Sequence, residues 1–186
     1  MLVRGIGLLK RLAILPIVGT LLAGAALGQA AEKLAPYYPT PEKIVEQMLK
    51  LGELKPGEKM FDLGSGDGRI VIMAAKKFRA DATGVEFDED LWRQSENRIE
   101  SLGLESRARI IHGDLMKQDY RSADLLTVYL LPGSNDKLRP LLEKQLKKGA
   151  RIVAHDFEFA GWTPETTKYI EDDGQGRSHT LYLYRR

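Results

Sequence analysis

Phe61-Asp62-Leu63-Gly64-Ser65-Gly66-Asp67-Gly68-Arg69 is the stretch whose reading decides the fold. Glu58-Lys59-Met60-Phe61 leads out of the Pro56-Gly57 turn and reads as a short strand. Ile70-Val71-Ile72-Met73-Ala74-Ala75 opens an apolar run to Phe78 that reads as a helix. Between them stand three glycines in five residues, Gly64, Gly66 and Gly68, which let backbone pass close to a ligand and tolerate positive φ. Strand, glycine turn and helix make the first βα unit expected of a nucleotide-binding α/β sheet. Asp62 adds a hydrogen-bond acceptor at the strand's end. Taken alone, the same residues also suit an ordinary glycine-rich βα turn.

Outward from that turn the pattern alternates. Upstream, Thr40-Pro41 reads as N-cap and first helical position, and Ile44, Val45, Met48, Leu49 and Leu51 form one apolar face ending at Gly52. Downstream, Ala82 to Glu86 is a second strand. Asp88, Glu89 and Asp90 then place acids in the first turn of a helix that runs through Trp92 and Ile99 to Gly103. Arg109 to His112, Asp124 to Leu130 and Ala150 to His155 are the third, fourth and fifth strands. Leu138, Leu141, Leu142 and Leu146 mark a helix between the last two. Lys168 to Glu171 and Thr180 to Tyr184 read as two closing strands around a polar turn. Strands alternating with helices imply a mostly parallel sheet covered on both faces.

The 186 residues suffice for one α/β domain with a full core. Charged residues at 29% and hydrophobic ones at 43% exclude a disordered chain. A net charge of +2 implies no general affinity for nucleic acid, and the basic flank Lys137, Arg139, Lys144, Lys147 and Lys148 reads as a solvated helix face. The absence of cysteine excludes disulfides, thiol catalysis and thiolate metal sites. His112, His155 and His179 are widely spaced in no ligand pattern, so no metal is expected.

Residues 1–31 read as a separate segment. Arg4, Lys10 and Arg11 precede twenty uncharged residues, 12–31, long enough as a helix to cross a bilayer. A basic front, an apolar middle and small residues near Ala30 equally fit a cleaved signal peptide. Residues 32–39 read as a linker interrupted by Pro36 and Pro39, and 40–186 as the globular domain.

The glycine spacing bears on the ligand. A dinucleotide fingerprint requires a third glycine where Arg69 stands, so that reading fails. Glu86 ends the second strand, where a carboxylate can accept from both ribose hydroxyls. Asp114 follows the third, placed to accept from an adenine amino group. With Asp62, these acids stand at successive carboxyl ends of strands, the edge where open α/β sheets bind ligands.

This constellation resembles the class I S-adenosylmethionine-dependent methyltransferases. The resemblance implies a Rossmann-like seven-stranded sheet, mostly parallel with its last strand antiparallel, and S-adenosyl-L-methionine as cofactor. It further implies that the motif from Asp62 to Gly68, with Asp62, Gly64, Ser65 and Gly66, wraps the methionine portion, that Glu86 holds the ribose and that Asp114 and Leu115 frame the adenine, with Thr40, Phe87 and Tyr129 as further cofactor-binding residues.

A closer resemblance rests on four separated segments. Pro36-Tyr37-Tyr38-Pro39-Thr40-Pro41, Asp62 to Ile70, Tyr129-Leu130-Leu131-Pro132 with Asn135 and Leu138-Arg139-Pro140, and His155-Asp156-Phe157 with Trp162 look like the small protein-lysine methyltransferases. Those include the mitochondrial enzymes acting on the ATP synthase c-subunit and the adenine nucleotide translocase, and archaeal Dot1-like relatives. The implied reaction is methyl transfer to a lysine of a protein, possible also for one embedded in a membrane. Tyr129, Leu130 and Pro132 would line the lysine channel, and Tyr129, Asp156 and His155 are the candidate catalytic groups. The plainer alternative is that Tyr129 packs on adenine while His155 and Asp156 tie down the following loop. Rival functions are methylation of a quinone or lipid, and a non-catalytic membrane-tethered adenosylmethionine-binding module. Because the cofactor is cytoplasmic, the expected location is a membrane anchor through residues 12–31 with the domain facing the cytoplasm, and the alternative is export after signal cleavage.

Overall fold

The computed structural model describes Leu2 and residues 37–186. Seven strands build one sheet: β1 (Lys59–Leu63), β2 (Asp81–Glu86), β3 (Ala108–His112), β4 (Leu125–Val128), β5 (Arg151–His155), β6 (Thr166–Ile170) and β7 (His179–Arg185). Their order is β3-β2-β1-β4-β5-β7-β6. The five strands from β3 to β5 run parallel, and β7 lies antiparallel between β5 and β6. This is the expected Rossmann-like methyltransferase sheet. The chain order reverses between β1 and β4, which opens a crevice at their carboxyl ends.

Alternation along the strands divides the core. Met60 and Leu125 fall on one side with Ile44, Val45 and Met48 of α1 (Glu42–Leu51) and Val71 and Ala74 of α2 (Arg69–Phe78). Ile99 of α3 (Glu89–Ser101) packs on this same side. Phe61 and Leu126, one residue on, face the opposite side with Leu138 and Leu142 of α4 (Pro132–Gln145). The same period carries Asp62 and Thr127, register partners across β1 and β4, onto one face.

Three local expectations shift. Pro41, with ψ 142°, is the N-cap of α1 and Glu42 its first residue, so Thr40 caps nothing. Thr40 is engaged across the molecule instead: its carbonyl accepts from Arg69 Nη1 at 2.9 Å and its hydroxyl lies 3.5 Å from His155 Nδ1. The fourth strand ends at Val128, because Tyr129 to Leu131 leave the sheet to bring Leu131 to the N-cap of α4 and Pro132 to its first turn. Leu146, expected inside that helix, is its extended C-cap.

The hydrophobic segment expected over residues 12–31 lies outside the described residues, as do residues 32–36 of the linker expected over 32–39. The membrane location is corrected on what the structure does describe. No helix among the described residues is long and apolar enough to cross a membrane. The α-helices α1 to α4 run from 10 to 14 residues, whereas a span takes about 20. The expected location on a membrane-spanning helix is therefore withdrawn.

Gly84, in the middle of β2, lies under the glycine turn. A Cβ there would sit 2.5 Å from Ser65 Oγ and 2.6 Å from Ile110 Cδ1. Gly84→Ala is expected to destabilise the domain by about 1–3 kcal/mol, through overpacking and not through backbone strain. A lowered urea midpoint at unchanged slope checks this.

Candidate active site

The turn after β1 is held in shape from β2. Gly64, Gly66 and Gly68 have φ of 81°, 53° and 75°, a region open to glycine at little cost. The Gly64 and Ser65 N–H groups donate to the Val85 carbonyl, each at 3.0 Å. Glu86 completes the clamp: Oε2 accepts from Gly66 N–H at 2.7 Å and Oε1 from Asp88 N–H at 2.8 Å. Asp67 is paired with Arg69 at 2.8 Å and Arg98 at 3.2 Å. Burial pushes the Asp67 carboxyl upward, but hydrogen bonds and charge from Arg69, with the charge of Arg98, hold it below the usual range. Arg69 was not among the expected site residues. It ties the turn to the Thr40 carbonyl, a contact that only the packing of α1 on α2 creates.

Asp62 is buried, and its Oδ1 accepts from Thr127 Oγ1 at 2.7 Å. Burial above all raises its pKa, the Thr127 hydroxyl opposes, and the nearby Glu86 and Asp67 charges add to the rise, leaving it at about 7. A carboxyl this close to neutrality suits a ligand that brings positive charge beside it.

A cavity of about 340 Å³ opens over these groups. It brings together all ten residues expected to hold the cofactor: Thr40, Asp62, Gly64, Ser65, Gly66, Glu86, Phe87, Asp114, Leu115 and Tyr129. Their contributions differ. The Ser65 hydroxyl lies against Gly84, buried and without a partner, and the Ser65 N–H and carbonyl are engaged by Val85 and Gly68, so this residue shapes the cavity wall. Asp114 Oδ1 accepts from Met116 N–H at 2.8 Å, capping a short 3-10 turn (Leu115–Lys117) while Asp114 lines the cavity. Tyr37, Tyr38, Leu91, Leu130, Leu131 and Phe157 complete the walls. Pro132, expected in the acceptor channel, does not line the cavity, because it begins α4.

Tyr129 stands at the acceptor end. Its hydroxyl donates to Asp156 Oδ2 at 3.3 Å, and its ring lies 3.9 Å from that of His155. Burial and the Asp156 charge push its pKa up to about 12. His155 and Asp156 do not line the cavity; they stand behind Tyr129. Burial drives His155 below its ordinary value, against the pull of Asp156, so its ring is neutral. His179, which carried no signal in the sequence, lies 2.9 Å from His155 through Nδ1.

The cavity's chemistry fits S-adenosyl-L-methionine. Carboxylates on one floor match ammonium, sulfonium and hydroxyl groups, and Phe87, Leu91 and Leu115 supply apolar surface for a purine. A Cβ on Gly66 would come within 2.7 Å of Tyr37 Cε2, so the turn leaves no room for a side chain there.

Such a cavity, at the switch point of a seven-stranded sheet with one reversed strand, defines an S-adenosyl-L-methionine-dependent methyltransferase. The chain belongs to the family described as the ANTKMT methyltransferase domain, whose model matches residues 62–166. A protein-lysine N-methyltransferase of Saccharolobus islandicus is 43% identical over 80% of this chain and 92% of its own length. The Mus musculus lysine N-methyltransferase of the ATP synthase c-subunit is 34% identical over 71% of this chain, a match spanning 53% of that enzyme. A solved structure described as an RNA methyltransferase of Salinibacter ruber, in complex with S-adenosyl-L-homocysteine, is 37% identical with a TM-score of 0.73. That match covers 80% of this chain and 93% of the other.

Proposed function

We propose that this methyltransferase acts on a lysine side chain of a protein. The observation that carries the reading is the head of the cavity, where the Tyr129 hydroxyl commits its proton to Asp156 Oδ2 at 3.3 Å. The Tyr129 oxygen then keeps lone pairs that can accept from a neutral lysine amine and orient it. The 43% identical relative named for lysine N-methylation supports the same acceptor class. The mouth is open and apolar, with Tyr38, Phe87 and Leu131 each more than two-fifths exposed, which suits a side chain presented by a large partner.

S-adenosyl-L-methionine supplies an electrophilic sulfonium methyl. Thr40, Asp62, Gly64, Ser65 and Gly66 would hold its amino-acid end, Glu86 and Phe87 its ribose, and Asp114 and Leu115 its adenine. Tyr129, Leu130, Leu131 and Phe157 form the wall that excludes water around the amine, and desolvation favours the neutral, nucleophilic lysine. The nitrogen–carbon bond forms as the sulfur–carbon bond breaks, and the surplus proton on the nitrogen leaves to water. Alignment supplies most of the acceleration, since no covalent enzyme intermediate is needed. Asp156 and His155 act as positioning groups behind Tyr129.

Tyr129→Phe is expected to lower kcat by about tenfold, the worth of one orienting hydrogen bond, while the Kd for S-adenosyl-L-methionine stays within about twofold. Steady-state kinetics with calorimetry on the same preparation separates the two. The acceptor itself is tested by transfer of labelled methyl from S-adenosyl-L-methionine into a cell lysate, with separation of protein, RNA and lipid. Label on lysine, located by mass spectrometry, is the expected result. Label confined to RNA or to a lipid or quinone fraction would overturn the lysine assignment.

A further inference from the structure

We propose that His155, Asp156 and His179 form a binding site for one divalent transition-metal ion of the zinc class, behind the acceptor end of the cavity. Antiparallel pairing sets His155 opposite Leu181, which brings His179, two residues before it on β7, against the end of β5. His155 Nε2 and His179 Nδ1 are 2.9 Å apart, and Asp156 Oδ2 is 3.3 Å from each. Donor atoms bound about 2.0–2.1 Å from one ion lie about 2.9 Å apart at right angles and about 3.3 Å apart at the tetrahedral angle. The triangle therefore takes an ion without rearranging.

The surrounding groups point three lone pairs inward. Asp173, whose side chain is fully buried, faces His179 Nε2 at 3.2 Å, so a neutral His179 keeps its proton there and turns the Nδ1 lone pair toward the other two donors. The Thr40 hydroxyl stands 3.5 Å from His155 Nδ1 and can accept a proton held there, which frees the Nε2 lone pair. Asp156 has φ 58°, and its Oδ1 accepts from Thr180 N–H at 2.9 Å, leaving Oδ2 as the third donor. A carboxylate that accepts the other ring N–H, as Asp173 does from His179, is a usual outer partner of metal-bound histidine. Two nitrogens and one oxygen favour zinc or a neighbouring first-row ion over magnesium or calcium, which prefer oxygen. The ion would fix Asp156, and through it the Tyr129 hydroxyl, whichever acceptor is methylated.

Chelator-stripped full-length protein titrated with Co²⁺ should develop visible ligand-field bands that saturate at one ion per chain. Zn²⁺ should displace them and raise Tm. His179→Gln keeps an amide able to reach Asp173 but offers no donor in place of Nδ1. It should bind Co²⁺ at least about tenfold more weakly, as should Asp156→Ala, while His179→Gln still binds S-adenosyl-L-methionine like the parent and is thereby shown to be folded. Absence of saturable bands in the parent would leave only a hydrogen-bonded imidazole pair and overturn the site. Equal Co²⁺ binding in both variants would place the ion elsewhere and overturn it as well.

Discussion

Glu86→Ala is expected to lose S-adenosyl-L-methionine binding by about 10²- to 10⁴-fold, from two charge-assisted hydrogen bonds worth about 1.5–3 kcal/mol each. The carboxylate has a second duty that enlarges the effect. It accepts from Gly66 N–H at 2.7 Å and Asp88 N–H at 2.8 Å, so truncation leaves both donors without their partner beside a buried floor. The free domain should also lose about 2–4 kcal/mol of stability. Glu86→Gln separates the roles. Its single amide oxygen can still serve one of the two N–H groups, and its stability should recover more than its affinity does. Calorimetry for binding and urea unfolding for stability read the two effects independently. Affinity within about threefold of the parent in Glu86→Ala would remove the cavity's assignment as the cofactor site.

Binding of S-adenosyl-L-methionine should also release a proton, and the group responsible is Asp62. In the free protein burial raises its pKa to about 7 from an ordinary 3.8. The sign for stability follows. A raised folded pKa contributes stability that is fully present below about 4 and lost as pH rises through about 7. Across that window this one group takes away up to about 4 kcal/mol, at about 1.4 kcal/mol per unit of pKa shift. A cationic ligand beside the carboxylate lowers the pKa again. Affinity should therefore climb by up to about tenfold per pH unit as pH approaches 7, and flatten above it. Calorimetry in buffers of different ionisation enthalpy counts the released proton directly. Asp62→Asn should abolish the proton release, bind weakly at every pH, and make the free domain more stable than the parent at pH 8. A parent protein whose affinity does not change between pH 5.5 and 8 would refute the coupling.

Most of the sheet was legible because its signals are local. The apolar run of α2, the two-residue alternation through Met60 and Phe61, and the acids opening α3 each act within a few residues. Where a residue's best partner lay far along the chain, the local reading failed. Thr40 has the chemistry of an N-cap, but its polar atoms are taken up by Arg69 and His155, 29 and 115 residues away. Leu130 continues an apolar strand by composition, yet the backbone must leave β4 there to start α4 at Pro132. Asp114, which taken alone reads as a cap or loop residue and together with Asp62 and Glu86 as an acceptor for adenine, gives one of its oxygens to the cap of its own turn while lining the cavity.

The site divides along the same line. The spacing of Asp62, Gly64, Gly66 and Glu86 by itself marked a ligand edge at the ends of β1 and β2, because glycine geometry and strand-end acids are properties of short segments, and the resemblance to the methyltransferases named the methyl donor. Only the tertiary structure decided that Glu86 braces the turn, that Thr127 faces Asp62, and that His179 meets His155 and Asp156. The register of parallel β1 on β4 and of antiparallel β7 on β5 sets those meetings. That register comes from burying the two faces of the sheet at once, a demand that no single segment of the chain expresses.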